Sequence, residues 1–141
     1  MREGVGELSV RAGRLKLLAA CALAAVLVAC AAACRDADGE NAAAAMTGGG
    51  DPARGRAAIE RYGCASCHTI PGVRGADALV GPPLTQVASR SYIGGVLTNS
   101  PENMLRWLRD PRAVDGLTAM PNVGLTEQDA RDIARYLYTL K

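Results

Sequence analysis

Cys64-Ala65-Ser66-Cys67-His68 constrains this chain more than any other stretch. Two thiols three positions apart, with an imidazole directly after the second, is the spacing at which a chain is joined covalently to haem. Each thiol adds to one vinyl group of the porphyrin, so both sulfurs must lie along one edge of the ring. The next residue can then turn its imidazole under the iron as an axial ligand. His68 is the sole histidine in the 141 residues, so no other imidazole can take that place.

Two other chemistries use paired cysteines. A zinc site needs further protein ligands to close its tetrahedron, and the remaining cysteines, Cys21, Cys30 and Cys34, all lie in an apolar N-terminal run. A thioredoxin-like dithiol sits at a helix start after a strand, and nothing around Cys64 reads as strand. One covalent haem is therefore the expected cofactor, with zinc and dithiol chemistry as the competing readings.

The chain divides by composition into three parts. Residues 1–16 carry Arg2, Arg11, Arg14 and Lys16 against Glu3 and Glu7, and no charged residue follows from Leu17 to Cys34. A positive start followed by an apolar stretch and small residues reads as an export signal. The same run is just long enough for a short membrane helix. Leu27-Val28-Ala29-Cys30 looks like a lipoprotein box, which makes Cys30 the expected lipid anchor and leaves an uncleaved helix as the alternative. Either anchor tethers an exported domain to a membrane, since acyl chains contribute about 0.8 kcal/mol per buried CH₂. Residues 1–30 are thus expected to be signal or anchor, and residues 31–50, polar and rich in Ala and Gly, a flexible tether. The folded domain is expected over 51–141.

That domain reads as all-α, with three main helices and long loops. Asp51-Pro52 and Ser100-Pro101 each combine an N-cap with a proline at the first helical position. The first helix runs to about Tyr62, presents Ala58, Ile59 and Tyr62 on one face, and is stopped by Gly63. The second carries Met104, Leu105, Trp107 and Leu108 and stops at Asp110-Pro111. Thr126 with Asp129 resembles a capping box, and the last helix, 127–140, aligns Ala130, Ile133, Ala134, Leu137 and Leu140. Residues 69–95 hold many glycines and three prolines and read as loop, with one helical turn near 84–89.

Beyond Cys30 the chain has twelve basic and twelve acidic residues. A near-neutral domain is not a nucleic-acid binder by charge. It has no phenylalanine, a thin core for its size, and a porphyrin would supply the missing apolar mass. Met104 has helical spacing with Trp107 and Leu108 and reads as core. Met120 lies between helices in Ala119-Met120-Pro121 and is the expected second axial ligand. A thioether favours ferrous iron, and a filled sixth position leaves no vacancy for oxygen chemistry, so a carrier is expected rather than an enzyme.

Residues 55–141 resemble a class I monohaem cytochrome c, above all the membrane-tethered bacterial type and the cytochrome c domain of haem–copper oxidase subunit II. The resemblance rests on Cys64-x-x-Cys67-His68, Gly81-Pro82-Pro83-Leu84, Trp107-Leu108-Arg109-Asp110-Pro111, Ala119-Met120-Pro121 and Ala134-Arg135-Tyr136-Leu137. It implies a cytochrome c fold wrapped around haem c, and a Pro82 carbonyl that accepts from the far nitrogen of His68. It also implies Leu84 against the histidine side of the haem, and Arg90, Tyr92 and Trp107 near the propionates. Ile59 and Tyr62 would cross Tyr136 and Leu137. The implied function is one-electron transfer in a respiratory chain, on the periplasmic side of the cytoplasmic membrane. Implied partners are redox proteins: an oxidase, a bc1-type complex or a dehydrogenase. A permanent electron-entry subunit of such a complex is the main alternative, and a five-coordinate gas-binding cytochrome c another.

Overall fold

The structure, a computed structural model, describes residues 47–141. The expected signal or anchor with Cys30, and residues 31–46 of the expected tether, lie outside the described residues. Among the described residues there are four α-helices: α1 Pro52–Arg61, α2 Pro101–Arg109, α3 Pro111–Val114 and α4 Glu127–Leu137. None of these is long and apolar enough to cross a membrane.

The helix starts follow from local chemistry. Asp51 Oδ1 accepts from the Arg54 N–H at 2.8 Å, and Ser100 Oγ accepts from the Asn103 N–H at 3.2 Å. Each satisfies an amide that has no partner inside its helix, while the following proline brings no N–H to satisfy. At α4, Thr126 Oγ1 accepts from the Asp129 N–H at 3.1 Å. The Asp129 carboxylate does not reach back to the backbone as in a full capping box. It accepts from the hydroxyls of Thr126 at 2.7 Å and Tyr62 at 2.8 Å, tying the start of α4 to the end of α1.

α1 and α4 cross at Gly55. A Cβ there would lie 2.0 Å from the carbonyl oxygen of Asp132 and 3.0 Å from Cβ of Tyr136. Only a glycine lets the two backbones approach so closely. Ala58 and Ile59 then pack with Ala130, Ile133, Ala134 and Leu137 in the core. The Tyr62 hydroxyl goes to Asp129, and the Tyr136 hydroxyl donates to the Pro71 carbonyl at 2.6 Å.

Beside the crossing, the buried Asp132 accepts four hydrogen bonds. They come from the Asp51 N–H at 2.8 Å, Arg54 Nε at 2.8 Å and Nη2 at 2.9 Å, and Gln128 Nε2 at 2.9 Å. Burial pushes this carboxyl up, but the Arg54 guanidinium, the Asp51 amide and Gln128 outweigh it and hold it below the usual aspartate value.

Four expectations need correction. The domain is helical but not all-α, because Tyr92–Ile93 (β1) pairs antiparallel with Leu97–Thr98 (β2) around Gly94-Gly95. Strands of two residues leave no alternating pattern to read. There is a fourth helix, α3, because Pro111 both ends α2 and serves as a first helical residue, with Asp110 Oδ1 accepting from the Ala113 N–H at 3.2 Å. The last helix stops at Leu137 rather than 140, and the Leu140 carbonyl turns to accept from the Ala88 N–H at 3.1 Å. Finally, residues 47–50 are packed rather than free: Thr47 and Gly50 are buried, and Arg131 Nη1 donates to the Gly48 carbonyl at 3.2 Å.

The Asp132 cluster sets a pH dependence. Its carboxyl is lower in the folded chain than the unfolded value of about 3.9. The stabilisation is therefore complete above that value and is lost as pH falls through the folded one. Asp132→Asn should lower stability by about 2 kcal/mol at neutral pH. In denaturant titrations the gap between variant and parent should shrink below about pH 4.

Candidate functional site

Gly63, at φ 70°, breaks α1 and lets the chain turn directly into a single 3₁₀ turn, Cys64–Ser66. The Ser66 N–H and hydroxyl both donate to the Gly63 carbonyl, at 3.0 and 2.7 Å. The Cys67 and His68 amides donate to the Cys64 carbonyl, at 3.2 and 3.1 Å. The two thiols and the imidazole thus leave one compact turn seated on the end of α1. Burial pushes the Cys64 thiol up, and Cys67 beside it acts in the same direction.

Residues 81–84 run alongside this segment. The Gly81 N–H donates to the Cys67 carbonyl at 2.7 Å and the Leu84 N–H to the Thr69 carbonyl at 2.8 Å. That pairing brings the Pro82 carbonyl to 2.8 Å from His68 Nδ1. A carbonyl only accepts, so Nδ1 carries the proton and Nε2 keeps its lone pair. Gly81 has to be small here, because a Cβ would lie 2.4 Å from His68 Cε1.

Met120 arrives on the loop between α3 and α4. The Thr118 N–H donates to the Asp115 carbonyl at 3.1 Å, and the Met120 N–H donates to Thr118 Oγ1 at 3.3 Å. Its half-buried side chain packs on the core. Met104, by contrast, is fully buried on α2.

These segments enclose a cavity of about 450 Å³. Cys64, Cys67, His68 and Met120 all line it, as do Pro82, Leu84, Arg90, Tyr92, Trp107 and Met104. The rest of its wall is mainly apolar, with Ile59, Leu108, Ile133 and Leu137 coming from the three longer helices. Arg90 points its Nη2 at the carbonyls of Pro83 and Thr85, the latter at 2.9 Å, so it braces the 82–85 wall. A wider groove of about 660 Å³ beside α2 holds Glu102, Arg106, Arg109 and Asp110, but neither thiol nor imidazole.

A clamp that the sequence did not announce holds the far wall. The Tyr138 hydroxyl donates to Asn99 Oδ1 at 2.8 Å. Asn99 Nδ2 in turn donates to the carbonyls of Val87 at 2.9 Å and Arg90 at 2.8 Å. Burial pushes the Tyr138 phenol up to about 12. The sequence reading gave no signal for it, because Tyr138 fell inside the helix expected over 127–140, which in the structure ends at Leu137.

The residues present fit a covalently held haem. Two thiols, one oriented imidazole, one thioether and apolar walls line a single space. The zinc reading fares worse. Among the described residues no three His, Cys, Asp or Glu side chains converge on a point a metal ion could occupy.

Gly81→Ala should drive the His68 ring off its carbonyl and destabilise the haem-loaded protein by about 1–3 kcal/mol. Thermal melts would show this as a lower Tm. Gly116→Ala, where an added Cβ meets nothing within 4 Å, should melt like the parent.

The family model for cytochrome c matches residues 52–141. Cytochrome c oxidase subunit 2 of Alkalihalophilus pseudofirmus is 34% identical over 89 residues, covering 62% of this chain and 25% of the relative. The protein of the same name from Bacillus sp. strain PS3 is 33% identical over 88 residues, covering 60% and 25%. The chain spans about a quarter of the length of the curated relatives it matches. With the match running from α1 to the last residue and taking in the whole wall of the cavity, this chain belongs to the cytochrome c family and binds haem c covalently.

Proposed function

We propose that this protein is a one-electron carrier whose haem is fixed by Cys64 and Cys67 and held at iron by His68 and Met120. Membership of the cytochrome c family already implies haem-based electron transfer; the ligand set, the anchor and the respiratory setting are our reading. The observation that carries it is the 2.8 Å contact between His68 Nδ1 and the Pro82 carbonyl, in the cavity that Met120 also lines. Donation to Pro82 fixes the tautomer and holds the ring plane. Met104 lines the same cavity from the middle of α2. Met120 is the better candidate because its loop is held by Thr118 and stiffened by Pro121.

The bound haem supplies a reversible one-electron couple. The protein's part is to bury the group, set its potential through the axial pair and keep water off it. With His68 and Met120 both holding the iron, the thioether would favour the reduced state and no position would be left for oxygen. Leu84 packs on the core near His68, and Arg90, Tyr92 and Trp107 are the residues we assign to the propionate end.

We place the domain on the periplasmic side of the cytoplasmic membrane of a bacterium, tethered through Cys30. The two relatives named for cytochrome c oxidase favour an oxidase as acceptor. They also support the second reading, a permanent electron-entry subunit of such a complex. Gentle solubilisation separates the two, since a subunit co-purifies with the complex and a carrier does not.

Optical spectra of the ferric and reduced protein test the ligands. The ferric form should show the weak near-infrared band of an iron–thioether bond. That band should vanish in Met120→Ala and persist in Met104→Leu. Carbon monoxide should bind the reduced parent slowly and the Met120→Ala variant rapidly. Met120→His should lower the midpoint potential by on the order of 0.2 V, within the roughly 0.8 V span over which axial ligands act. Persistence of the band in Met120→Ala would remove Met120 from the iron.

The anchor has its own test. Cys30→Ala should release the exported protein from membranes if the cysteine carries lipid, and leave it bound if the 17–34 run remains as a helix.

A further inference from the structure

Asp132 has a buried charged neighbour on the same helix: Arg135, which is only 7% exposed. Its Nε is fully buried and has no hydrogen-bond partner. An arginine keeps its charge at any physiological pH. It cannot escape the cost of burial by giving up its proton, as a lysine does. Buried charges are therefore normally paired.

The acids of α4 are already taken. Glu127 pairs with Arg131, Asp129 with Arg61 and Asp132 with Arg54. The nearest acid in the preceding turn, Asp51, also lies by Arg54, at 3.9 Å. Among the described residues Arg135 has no ion pair and no side-chain hydrogen bond.

A glycine turn lies against it. Gly48 and Gly49 stand at φ 65° and 86°, and Arg131 Nη1 donates to the Gly48 carbonyl at 3.2 Å. A Cβ on Gly50 would lie 2.2 Å from the Arg131 carbonyl oxygen and 3.0 Å from Cβ of Arg135. A helical side chain leans toward the N-terminal end of its helix. The Arg135 stem therefore runs from beneath Gly50 toward Arg131 and the Gly48 backbone. Among the described residues the amides of Gly48, Gly49 and Gly50 donate to no oxygen. Successive amides in a tight turn are a common cradle for anions.

We propose that Arg135 and the Gly48–Gly50 turn form a binding site for a phosphate group. The guanidinium fork suits two of its oxygens, held by parallel N–H donors. The other oxygens remain for the glycine amides. A carboxylate has only two oxygens, which the fork alone would occupy. On the anchored reading above, the chain leaves the domain toward the membrane at this turn. Lipid headgroups are then one source of phosphate and dissolved phosphate the other. Neither Arg135 nor the turn lines the haem cavity, so the site stands or falls apart from the ligands of the iron.

Thermal melts of the full-length, haem-loaded protein in detergent test it, with ionic strength held constant by chloride. Inorganic phosphate at about ten times its dissociation constant should raise the Tm of the parent by about 5 °C or more. Arg135→Leu should not respond to phosphate. In phosphate-free buffer it should melt at or above the parent, because it removes a buried charge that lacks a partner. Arg135→Lys keeps the charge but loses the fork. Calorimetry should show it binding phosphate about tenfold more weakly, the loss of one hydrogen bond to a charged group.

Glycerophosphoglycerol, the deacylated headgroup of phosphatidylglycerol, separates the two sources. Protection by this diester alone assigns the site to lipid, and protection by inorganic phosphate alone assigns it to the dissolved ion. Protection by both means that the site reads the shared group. A parent that responds to neither would overturn the proposal. So would an Arg135→Leu variant protected as well as the parent. If Arg135→Leu does not fold, the lysine variant decides, and phosphate binding equal to that of the parent sinks the role of the fork.

Discussion

The contact between Gly55 and the Asp132 carbonyl is the constraint on which the rest of the domain depends. Because the two backbones touch there, the end of α1 is fixed relative to α4. The thiols and imidazole begin three residues beyond that end. The buried Asp132 carboxylate secures the crossing from one side through Arg54 and the Asp51 amide. The Asp129 carboxylate secures it from the other through Tyr62. One close approach therefore converts a pair of short helices, each too short to persist alone, into a rigid mount for the haem-binding turn.

The hydrophobic core is best understood as two half-walls with a gap between them. Ile133 and Leu137 from α4, Met104 and Leu108 from α2, and Ile70 from the loop are buried by protein on one side and face the cavity on the other. Native interiors do not sustain such voids. The absence of phenylalanine and this gap express the same fact: the largest aromatic group of the core is not supplied by an amino acid. The prosthetic group is a structural element as well as a redox centre.

Much of this was legible before the structure. Asp51-Pro52, Ser100-Pro101 and Thr126 mark helix starts because capping is local chemistry, settled within three residues. The haem motif is equally local. The long-range pieces were not legible. Asp132 reads in sequence as one more polar residue on an exposed helix face, and only the fold places it under Arg54. Gly55 reads as a weak spot in a helix, although it is the reason two helices can touch. Asn99 and Tyr138 lie 39 residues apart and meet only once the chain has closed on itself. The small hairpin is too short to carry a period. Helix ends moved where a tertiary partner intervened, as at Leu140, whose carbonyl belongs to Ala88 rather than to a further turn.

The wall that orients His68 has a mechanical consequence. Its imidazole leans on a backbone carbonyl at Pro82, and the neighbouring carbonyls at 83 and 85 are pinned by Arg90. Arg90 is itself held through its own carbonyl by Asn99 and Tyr138. All but the last of these links, the Tyr138 hydroxyl to Asn99 Oδ1, are hydrogen bonds to main-chain carbonyls, so a tilt of the histidine pulls on the backbone that frames it. On the proposed reading, in which His68 holds the haem iron, a ring mounted in this way would move little as the oxidation state changes, and the frame that limits its motion lies some distance from the ring itself.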